Sequence, residues 1–230
     1  MANVNDYLRK MGAQKISKKA PFSEADQLIL ARISYLPFHK IRLTSFETIA
    51  SVAEKMKKLP ASAFGWPDDR KLIELLGQSK RFERMRVSDF VRHNDKNLEK
   101  QFSAITIHLN IERAYLSFYG TDSSLTGWKE DFNLAFLDQI PAQIEALEYL
   151  KQIRRKFFWK KLYLGGHSKG GHVAIFAAIH VSDHTQKKIQ AVYNYDGPGI
   201  RKDLAAQDLG SFQILGRIHT FVPQESIIGR

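Results

Sequence analysis

Residues 161–179, KLYLGGHSKGGHVAIFAAI, contain the most informative pattern in the chain. The apolar start of this stretch predicts a short buried strand over 161–164, and the run over 173–179 predicts a helix. Between them, residues 166–170 have the pattern G-x-S-x-G of a nucleophile elbow, in which a serine stands on a sharp strand-to-helix turn and needs small neighbours. We therefore expect Ser168 to act as a nucleophile.

Strand and helix patterns alternate on both sides of this stretch. A hairpin is predicted from strands over 102–109 and 114–118, a long helix over 140–153, and two later strands over 190–195 and 218–222. Strands that alternate with helices form βαβ units. We expect an α/β fold, with a mainly parallel sheet flanked by helices and a core formed by residues 101–230.

The first hundred residues have mostly helical patterns. Ser23 can cap one helix, residues 44–47 form a capping box before a second, and a third is predicted over 69–76. A charged stretch over 80–100 follows. We expect residues 1–100 to be a helical N-terminal segment that packs on the core, so that the chain is a single domain.

Composition limits the chemistry that is available to the protein. The 230-residue chain has a net charge of +11 and contains no cysteine. Disulfide bonds, thiolate metal sites and a cysteine nucleophile are therefore excluded. No apolar run has the length of a signal-peptide core or a membrane span. We expect a cytoplasmic protein that needs no metal and no cofactor.

The densest positive charge lies between Lys151 and Lys161, where basic residues surround Phe157, Phe158 and Trp159. This pattern is typical of the solvated end of a helix before a strand, and it also fits contact with an anionic membrane. No recognised nucleic-acid motif accompanies the charge, so nucleic acid is not an expected partner.

A serine nucleophile needs two backbone N–H groups to stabilise the oxyanion, one from the residue after the serine and one from an earlier loop. Lys169 follows Ser168 and supplies the first group. The turn over residues 118–122 closes the strand before the elbow strand. We therefore expect Thr121 to supply the second group.

Several motifs in chain order resemble the class 3 lipase branch of the α/β-hydrolases. They are FYGTD at 118–122, GWKEDF at 127–132 and GHSKGG at 166–171. The chain is still more similar to a bacterial family of uncharacterised lipase-like proteins, which add a segment YNYDGPG, found here at 193–199. The resemblance covers nearly the whole chain.

This resemblance implies an α/β-hydrolase fold with Ser168 as the nucleophile and with Thr121 and Lys169 as the oxyanion donors. Class 3 lipases usually have arginine where this chain has Tyr119. The ion pair that often supports the oxyanion loop in those lipases is therefore expected to be replaced here by another contact.

The acid and the base follow the serine in this fold, in the order Ser, then Asp or Glu, then His. Asp196 follows the strand after the elbow helix, and Glu225 follows the next strand, where class 3 lipases place a shorter carboxylate. A turn in which Asp196 bonds nearby backbone explains the segment DGPG equally well. Both residues stay candidates for the acid.

Four histidines follow the serine: His172, His180, His184 and His219. Each is expected to be a packed or solvated imidazole, because none follows the acid in a loop at the mouth of the sheet. His167 is expected to be a wall of the pocket. We therefore expect the chain to be truncated at its C-terminus and the general base to lie beyond Arg230.

These expectations define two hypotheses about function. The first is a serine hydrolase, a lipase or esterase that acts on a small-molecule or lipid ester with an apolar acyl group through an acyl-enzyme at Ser168. The alternative is a hydrolase-fold binding module with impaired catalysis, whose partner is a protein or an anionic membrane.

Overall fold

The computed structural model describes residues 3–95, 100–121, 140–199 and 212–223. The α-helices within these residues are α1 (Val4–Met11), α2 (Glu24–Ile33), α3 (Ile49–Met56), α4 (Asp69–Gln78), α5 (Pro141–Lys156), α6 (Lys169–His180), α7 (Asp183–Gln186) and α8 (Phe212–Leu215). The strands are β1 (Glu47–Thr48), β2 (Arg86–Asp95), β3 (Lys100–His108), β4 (Arg113–Phe118), β5 (Lys161–His167), β6 (Ile189–Tyr195) and β7 (Ile218–Phe221).

The strands form one sheet in chain order from β1 to β7. The pairs from β1 to β4 are antiparallel and the pairs from β4 to β7 are parallel. Strand β2 therefore runs in the same direction as β4 to β7, against β1 and β3. This mixed sheet with helices on its faces confirms the α/β-hydrolase-like fold that the sequence predicted.

Two apolar cores lie on opposite faces of the sheet. Helices α5 and α6 pack on one face, where Leu116 and Leu164 belong to a single buried cluster with residues of both helices. Helices α1 to α4 pack on the other face, against Ile105, Ile107 and Tyr115. The alternation of Ile105 and Ile107 with residues of the opposite face is what the hairpin pattern predicted.

Helix α2 is fixed firmly to the rest of the molecule. Ser23 and Asp26 form a capping box at its N-terminus, and Asp26 pairs with Arg81 at 2.5 Å, with both side chains fully buried. The helix packs against β4, β5 and β6. Its C-terminal end therefore has a fixed position beside the strands that carry the candidate site.

Strand β2 lies in the stretch over 80–100, which the sequence analysis treated as a charged connection without a strand. Asp89 has φ of 53°, and the pairing register with β3 shifts between Ser88 and Val91. This bulge interrupts the alternation of polar and apolar residues, so the period-two signal of a strand is lost.

The other predicted elements lie close to their expected positions. Helix α6 begins at Lys169, immediately after Ser168, rather than at Val173. Glu47 accepts the Thr44 N–H, as a capping box requires, but the helix itself begins at Ile49 with a different N-cap residue. Within the part of the chain that the structure describes, no helix has the length and apolar character of a membrane span.

Candidate active site

Ser168 stands on a strained turn between β5 and α6. Its φ of 56° and ψ of −131° lie in a region that residues with a side chain rarely adopt. The Ser168 N–H donates to the Tyr195 carbonyl at 2.8 Å, which extends the β5–β6 ladder up to the turn. Ser168 is half-buried. This is the backbone geometry that a nucleophile elbow requires.

The glycines around Ser168 are needed for this turn to form. A Cβ atom at Gly166 would lie 2.6 Å from the Phe118 carbonyl oxygen, and one at Gly170 would overlap that same oxygen. At Gly171, a Cβ atom would overlap the side-chain oxygen of Asn194. The G-x-S-x-G-G pattern therefore allows β4, β5 and α6 to approach within distances that exclude any side chain.

The loop after β4 passes directly beside the elbow. Gly120 approaches the His167 carbonyl so closely that a Cβ atom there would lie 2.5 Å from its oxygen. Thr121, the next residue, is half-buried. On the other side of Ser168, Lys169 begins α6 and is only 1% exposed. Lys169 thus directly follows Ser168, and Thr121 directly follows the glycine that approaches the His167 carbonyl.

An aromatic and cationic stack from the N-terminal helices supports this loop. The Tyr35 ring packs against the Tyr119 ring with centroids 4.5 Å apart and an angle of 41° between the planes, and its hydroxyl lies 3.3 Å from the carbonyl oxygen and from Nδ1 of His167. The Arg32 guanidinium lies 4.5 Å above the Tyr35 ring and pairs with buried Asp69 at 2.8 Å. Tyr119, at which the resemblance to class 3 lipases implies an arginine, is thus in contact with Tyr35.

Asp196 directly follows β6 and also has positive φ, at 55°. Its N–H donates to the Phe221 carbonyl at 2.8 Å. The turn after it is held by the buried side chain of Asn194, which accepts the Gly197 N–H at 3.0 Å and donates to the Gly197 carbonyl at 2.9 Å. Asn194 therefore holds this turn.

Sequence reasoning did not find Asn194 or the Tyr35 stack. The segment YNYDGPG directs attention to its ionisable aspartate, although the amide two residues earlier is the group that locks the turn. Tyr35 lies 132 positions from His167 in sequence. No local pattern connects residues that far apart.

The other candidate acid, Glu225, lies outside the described residues, as do Asp122 and the GWKEDF motif at 127–132. Strand β7, which precedes Glu225, ends at Phe221 beside β6. A geometric comparison of Asp196 with Glu225 is therefore not possible, and a functional test is needed to choose between them.

His172 is a structural imidazole. It is 7% exposed, and burial lowers its pKa. Its Nδ1 donates to the Pro198 carbonyl at 3.2 Å, and its Nε2 accepts from the Gln143 amide at 2.8 Å. Both ring nitrogens are thus used by packing contacts, as the sequence predicted for a packed histidine.

The three later histidines also have contacts away from Ser168. His180 bonds the Phe176 carbonyl at 2.9 Å, His184 lies 3.1 Å from Arg154, and the ring of His219 stacks on Tyr193. Within the described part of the chain, no histidine forms a hydrogen bond with the Ser168 side chain.

A groove runs along α2 beside the elbow. It consists of two cavities, of about 430 Å³ and about 520 Å³, that share Ala25, Leu28 and His167 as lining residues. Asp196 and Phe221 line the first cavity, so the groove reaches the end of β6. Burial, assisted by the positive charge of Arg32, lowers the pKa of His167 against the opposite effect of Asp196. His167 lines both cavities, and its lowered pKa favours the neutral imidazole.

The volume and lining of the groove suit an apolar ligand with few polar contacts. Residues 3–95, 100–121, 140–199 and 212–223 contain no cluster of three or more His, Asp or Glu that could hold a metal ion.

Solved lipase structures are similar to this chain in fold. A fungal lipase in an inhibitor complex is 15% identical, over 68% of this chain and 62% of its own, with a TM-score of 0.48. M37 lipase is 16% identical over 87% of this chain and 67% of its own, with a TM-score of 0.48. Lipase II from Rhizopus niveus is 14% identical over 87% of this chain and 72% of its own, with a TM-score of 0.46.

The chain thus spans 62% of the length of that fungal lipase. None of the curated proteins compared with the chain matches it. The model of the Mbeg1-like family matches residues 76–230, which is more than half of the sequence and includes the elbow, the loop after β4 and the YNYDGPG segment. The chain belongs to the Mbeg1-like family.

Proposed function

We propose that the protein is a serine hydrolase that cleaves an ester with an apolar acyl group through an acyl-enzyme at Ser168. The observation that carries this proposal is the positive φ of Ser168, on a turn where the glycines on both sides leave no room for a side chain. A strained backbone at a nucleophile position is costly and persists only where the surrounding structure enforces it. The lipase-like fold is consistent with this chemistry but does not identify a substrate.

In the proposed reaction, the Ser168 hydroxyl oxygen attacks the ester carbonyl carbon and its proton passes to a base. The backbone N–H groups of Lys169 and Thr121 stabilise the oxyanion of the tetrahedral intermediate, together with the positive end of α6. The alcohol then leaves with a proton from the base. Water hydrolyses the acyl-enzyme by the reverse sequence of proton transfers.

The acyl group is proposed to occupy the groove along α2. Leu28 and Phe221 supply apolar surface there, and His167 borders the groove at the residue before the nucleophile. A neutral imidazole at this position is compatible with an uncharged acyl chain. Burial of such a chain contributes about 0.8 kcal/mol per methylene group, so we expect KM to fall as the acyl chain lengthens.

Asp196 is the favoured acid because it directly follows β6, the strand next to the one that precedes Ser168, and because it lines the groove. Glu225 is the rival candidate. The base is proposed to be a histidine that follows the acid in chain order; His219 follows Asp196 but lies within β7 and stacks on Tyr193. On the sequence grounds given above, we also propose a cytoplasmic location and a relationship to bacterial lipase-like proteins.

The second candidate function is a binding module that keeps the hydrolase fold with impaired catalysis. One observation favours it, namely that no described histidine bonds the Ser168 side chain. A triad without its base still leaves residual catalysis over water from the oxyanion hole and substrate binding. The two candidates therefore differ in rate and in dependence on Ser168.

The test is hydrolysis of 4-nitrophenyl esters across a short-to-long acyl series. It compares this chain, its Ser168→Ala variant, an exposed-serine control, Ser182→Ala, and a version that is extended with the C-terminal segment of a relative. Hydrolysis that is lost only in Ser168→Ala, in the present or the extended chain, supports the hydrolase. Hydrolysis that is equal in Ser168→Ala and the parent chain would refute it.

A further inference from the structure

Three large apolar side chains are exposed together at the end of the sheet where β4 and β5 begin. Ile111 is 81% exposed, Phe158 is 65% exposed and Trp159 is 48% exposed. Ile111 is at the tip of the turn between β3 and β4, and the two aromatic residues belong to the connection from α5 to β5. We call these three residues the apolar tip. Apolar side chains that are grouped in this way on a surface mark an interaction site more often than isolated ones do.

The apolar tip is built rigidly rather than by chance exposure of a loop. The Trp159 indole N–H donates to the Ile111 carbonyl at 3.0 Å, and its ring packs against that of Phe158 with centroids 5.3 Å apart. The Lys160 ammonium, although only 4% exposed, donates to the carbonyls of Asn110 and Ile111. These bonds fix the turn to the α5–β5 connection, so the apolar groups keep their positions without a partner.

The cations of the cluster over 151–161 divide into three groups. Arg154 and Lys160 are buried and bond backbone carbonyls. Lys151 and Lys156 are exposed but form ion pairs, with Glu148 at 2.8 Å and with Asp89 at 2.5 Å. The third group consists of Arg155 and Lys161, whose positive charge is available to a partner.

Arg155 and Lys161 are exposed, and no described carboxylate forms an ion pair with either of them. Exposed Arg113 adds a third such cation, because it is the register partner of Lys161 on the neighbouring strand. Like charges on paired positions repel each other, and an anionic partner relieves the repulsion. We call Arg113, Arg155 and Lys161 the basic collar.

We propose that the apolar tip and the basic collar form a docking surface for an anionic lipid bilayer. Tryptophan and phenylalanine are suited to the interface of a membrane, and exposed cations bind the acidic headgroups around them. Ile111 favours lipid over nucleic acid, because an aliphatic side chain inserts among acyl chains but offers no ring for a base to stack on.

The docking surface and the turn at Ser168 lie at opposite ends of strand β5. Lys161 begins β5 and Ser168 follows its end, and a seven-residue strand spans about 20 Å. Docking through the apolar tip therefore holds Ser168 away from the bilayer. The inference does not rest on the proposed hydrolase activity, since a protein with inactive Ser168 binds membranes equally well by this surface.

The experiment is co-sedimentation with vesicles of phosphatidylcholine, with or without phosphatidylserine. We expect binding only with phosphatidylserine, and a weakening at raised salt. Replacing the tip in Ile111→Ser/Phe158→Ser, or the collar in Arg113→Gln/Arg155→Gln/Lys161→Gln, is expected to weaken binding at least about tenfold. Ser168→Ala is expected to bind as the parent chain does. Circular dichroism is used to check that each variant is folded.

Controls come from the segment between α1 and α2, which carries an exposed isoleucine and three exposed lysines. They are Ile16→Ser and Lys15→Gln/Lys18→Gln/Lys19→Gln. Binding that falls equally in these controls would overturn the proposal, because it would then reflect the net charge of the whole chain. Binding to an oligonucleotide or a protein without binding to anionic vesicles would also overturn it.

A second readout reports insertion directly. The chain has no cysteine, so Ile111→Cys and Ile16→Cys can each carry a single environment-sensitive fluorophore. The proposal predicts a blue shift for the label at position 111, and none at position 16, when anionic vesicles are added. Binding without a shift at position 111 would contradict insertion of the tip.

Discussion

Ser168 and Asp196 directly follow two neighbouring parallel strands, and both have positive φ, at 56° and 55°. Their preceding residues, His167 and Tyr195, are register partners. Each of the two N–H groups continues a strand ladder, to the Tyr195 and the Phe221 carbonyls respectively. The sheet thus presents the candidate nucleophile and a candidate acid side by side on adjacent strained turns.

The first prediction concerns the turn after Asp196. Gly197→Ala is expected to destabilise the protein by about 1–3 kcal/mol and to lower hydrolysis, because the new Cβ atom would overlap the Ser168 carbonyl oxygen and Asn194. Gly199→Ala is the control in the same segment, since a Cβ atom there has no neighbour within 4 Å. Chemical unfolding and ester hydrolysis measure both variants. Equal effects of the two substitutions would contradict the described contact.

The second prediction concerns the Tyr35 hydroxyl, which contacts the His167 carbonyl and the loop at Gly120. Tyr35→Phe is expected to lower kcat about tenfold or more while KM changes little, because the loop that carries Thr121 loses its fixed distance from Ser168. Loss of the hydrogen bond is expected to cost about 1 kcal/mol of stability.

Tyr149→Phe is the matched control for Tyr35→Phe. The Tyr149 hydroxyl is also buried and bonds Thr106 at 2.8 Å and the Asp89 carbonyl at 2.9 Å, away from the elbow. A similar loss of stability with unchanged kcat is expected. If both variants lose kcat in parallel, Tyr35 acts only through general stability.

These two predictions illustrate which parts of the site the sequence discloses. The elbow is local, because the glycines, the strand and the helix that force the geometry of Ser168 lie within nineteen residues, 161–179. The support from Tyr35 and Arg32 depends on how the N-terminal helices dock on the sheet, and side-chain contacts of that range have no periodic signal. Strand β2 was missed for a different reason, because the bulge at Asp89 breaks its alternation.

The third prediction separates the two candidate acids. If Asp196 orients the base, Asp196→Asn is expected to lower kcat by at least about a hundredfold, whereas Glu225→Gln is expected to retain activity. Asp183→Asn, at an exposed position on α7, controls for the loss of one carboxylate. The measurement is kcat in the active form of the chain, present or extended. The reverse pattern would assign the role to Glu225.

The fourth prediction is a pH dependence of stability that arises from His108. Burial, and then the positive charge of Lys160, lower the pKa of His108 from 6.5 to about 4. At a pH between these two pKa values, His108 therefore binds a proton in the unfolded chain but not in the folded chain. The contribution to stability is fully present above pH 6.5 and is lost as the pH falls toward 4.

The measurement is the denaturant concentration at which the protein unfolds. We expect this concentration to differ less between pH 7 and pH 5 in His108→Gln than in the parent chain. The remaining pH dependence in this window comes from other histidines with lowered pKa, such as His39 and His172. Glu47 contributes below it, since its pKa is lowered to about 2. Exposed His93→Gln is the control. An unchanged pH dependence in His108→Gln would contradict the assignment.

The most direct test of Ser168 as the nucleophile is labelling of the folded chain with a fluorophosphonate, followed by mass spectrometry of the modified peptide. This reagent bonds an activated serine oxygen and requires no turnover. The account predicts modification at Ser168 in the active form of the chain, present or extended, and none in its Ser168→Ala variant. Equal labelling of both proteins, or modification of another serine while Ser168 stays unmodified, would contradict it.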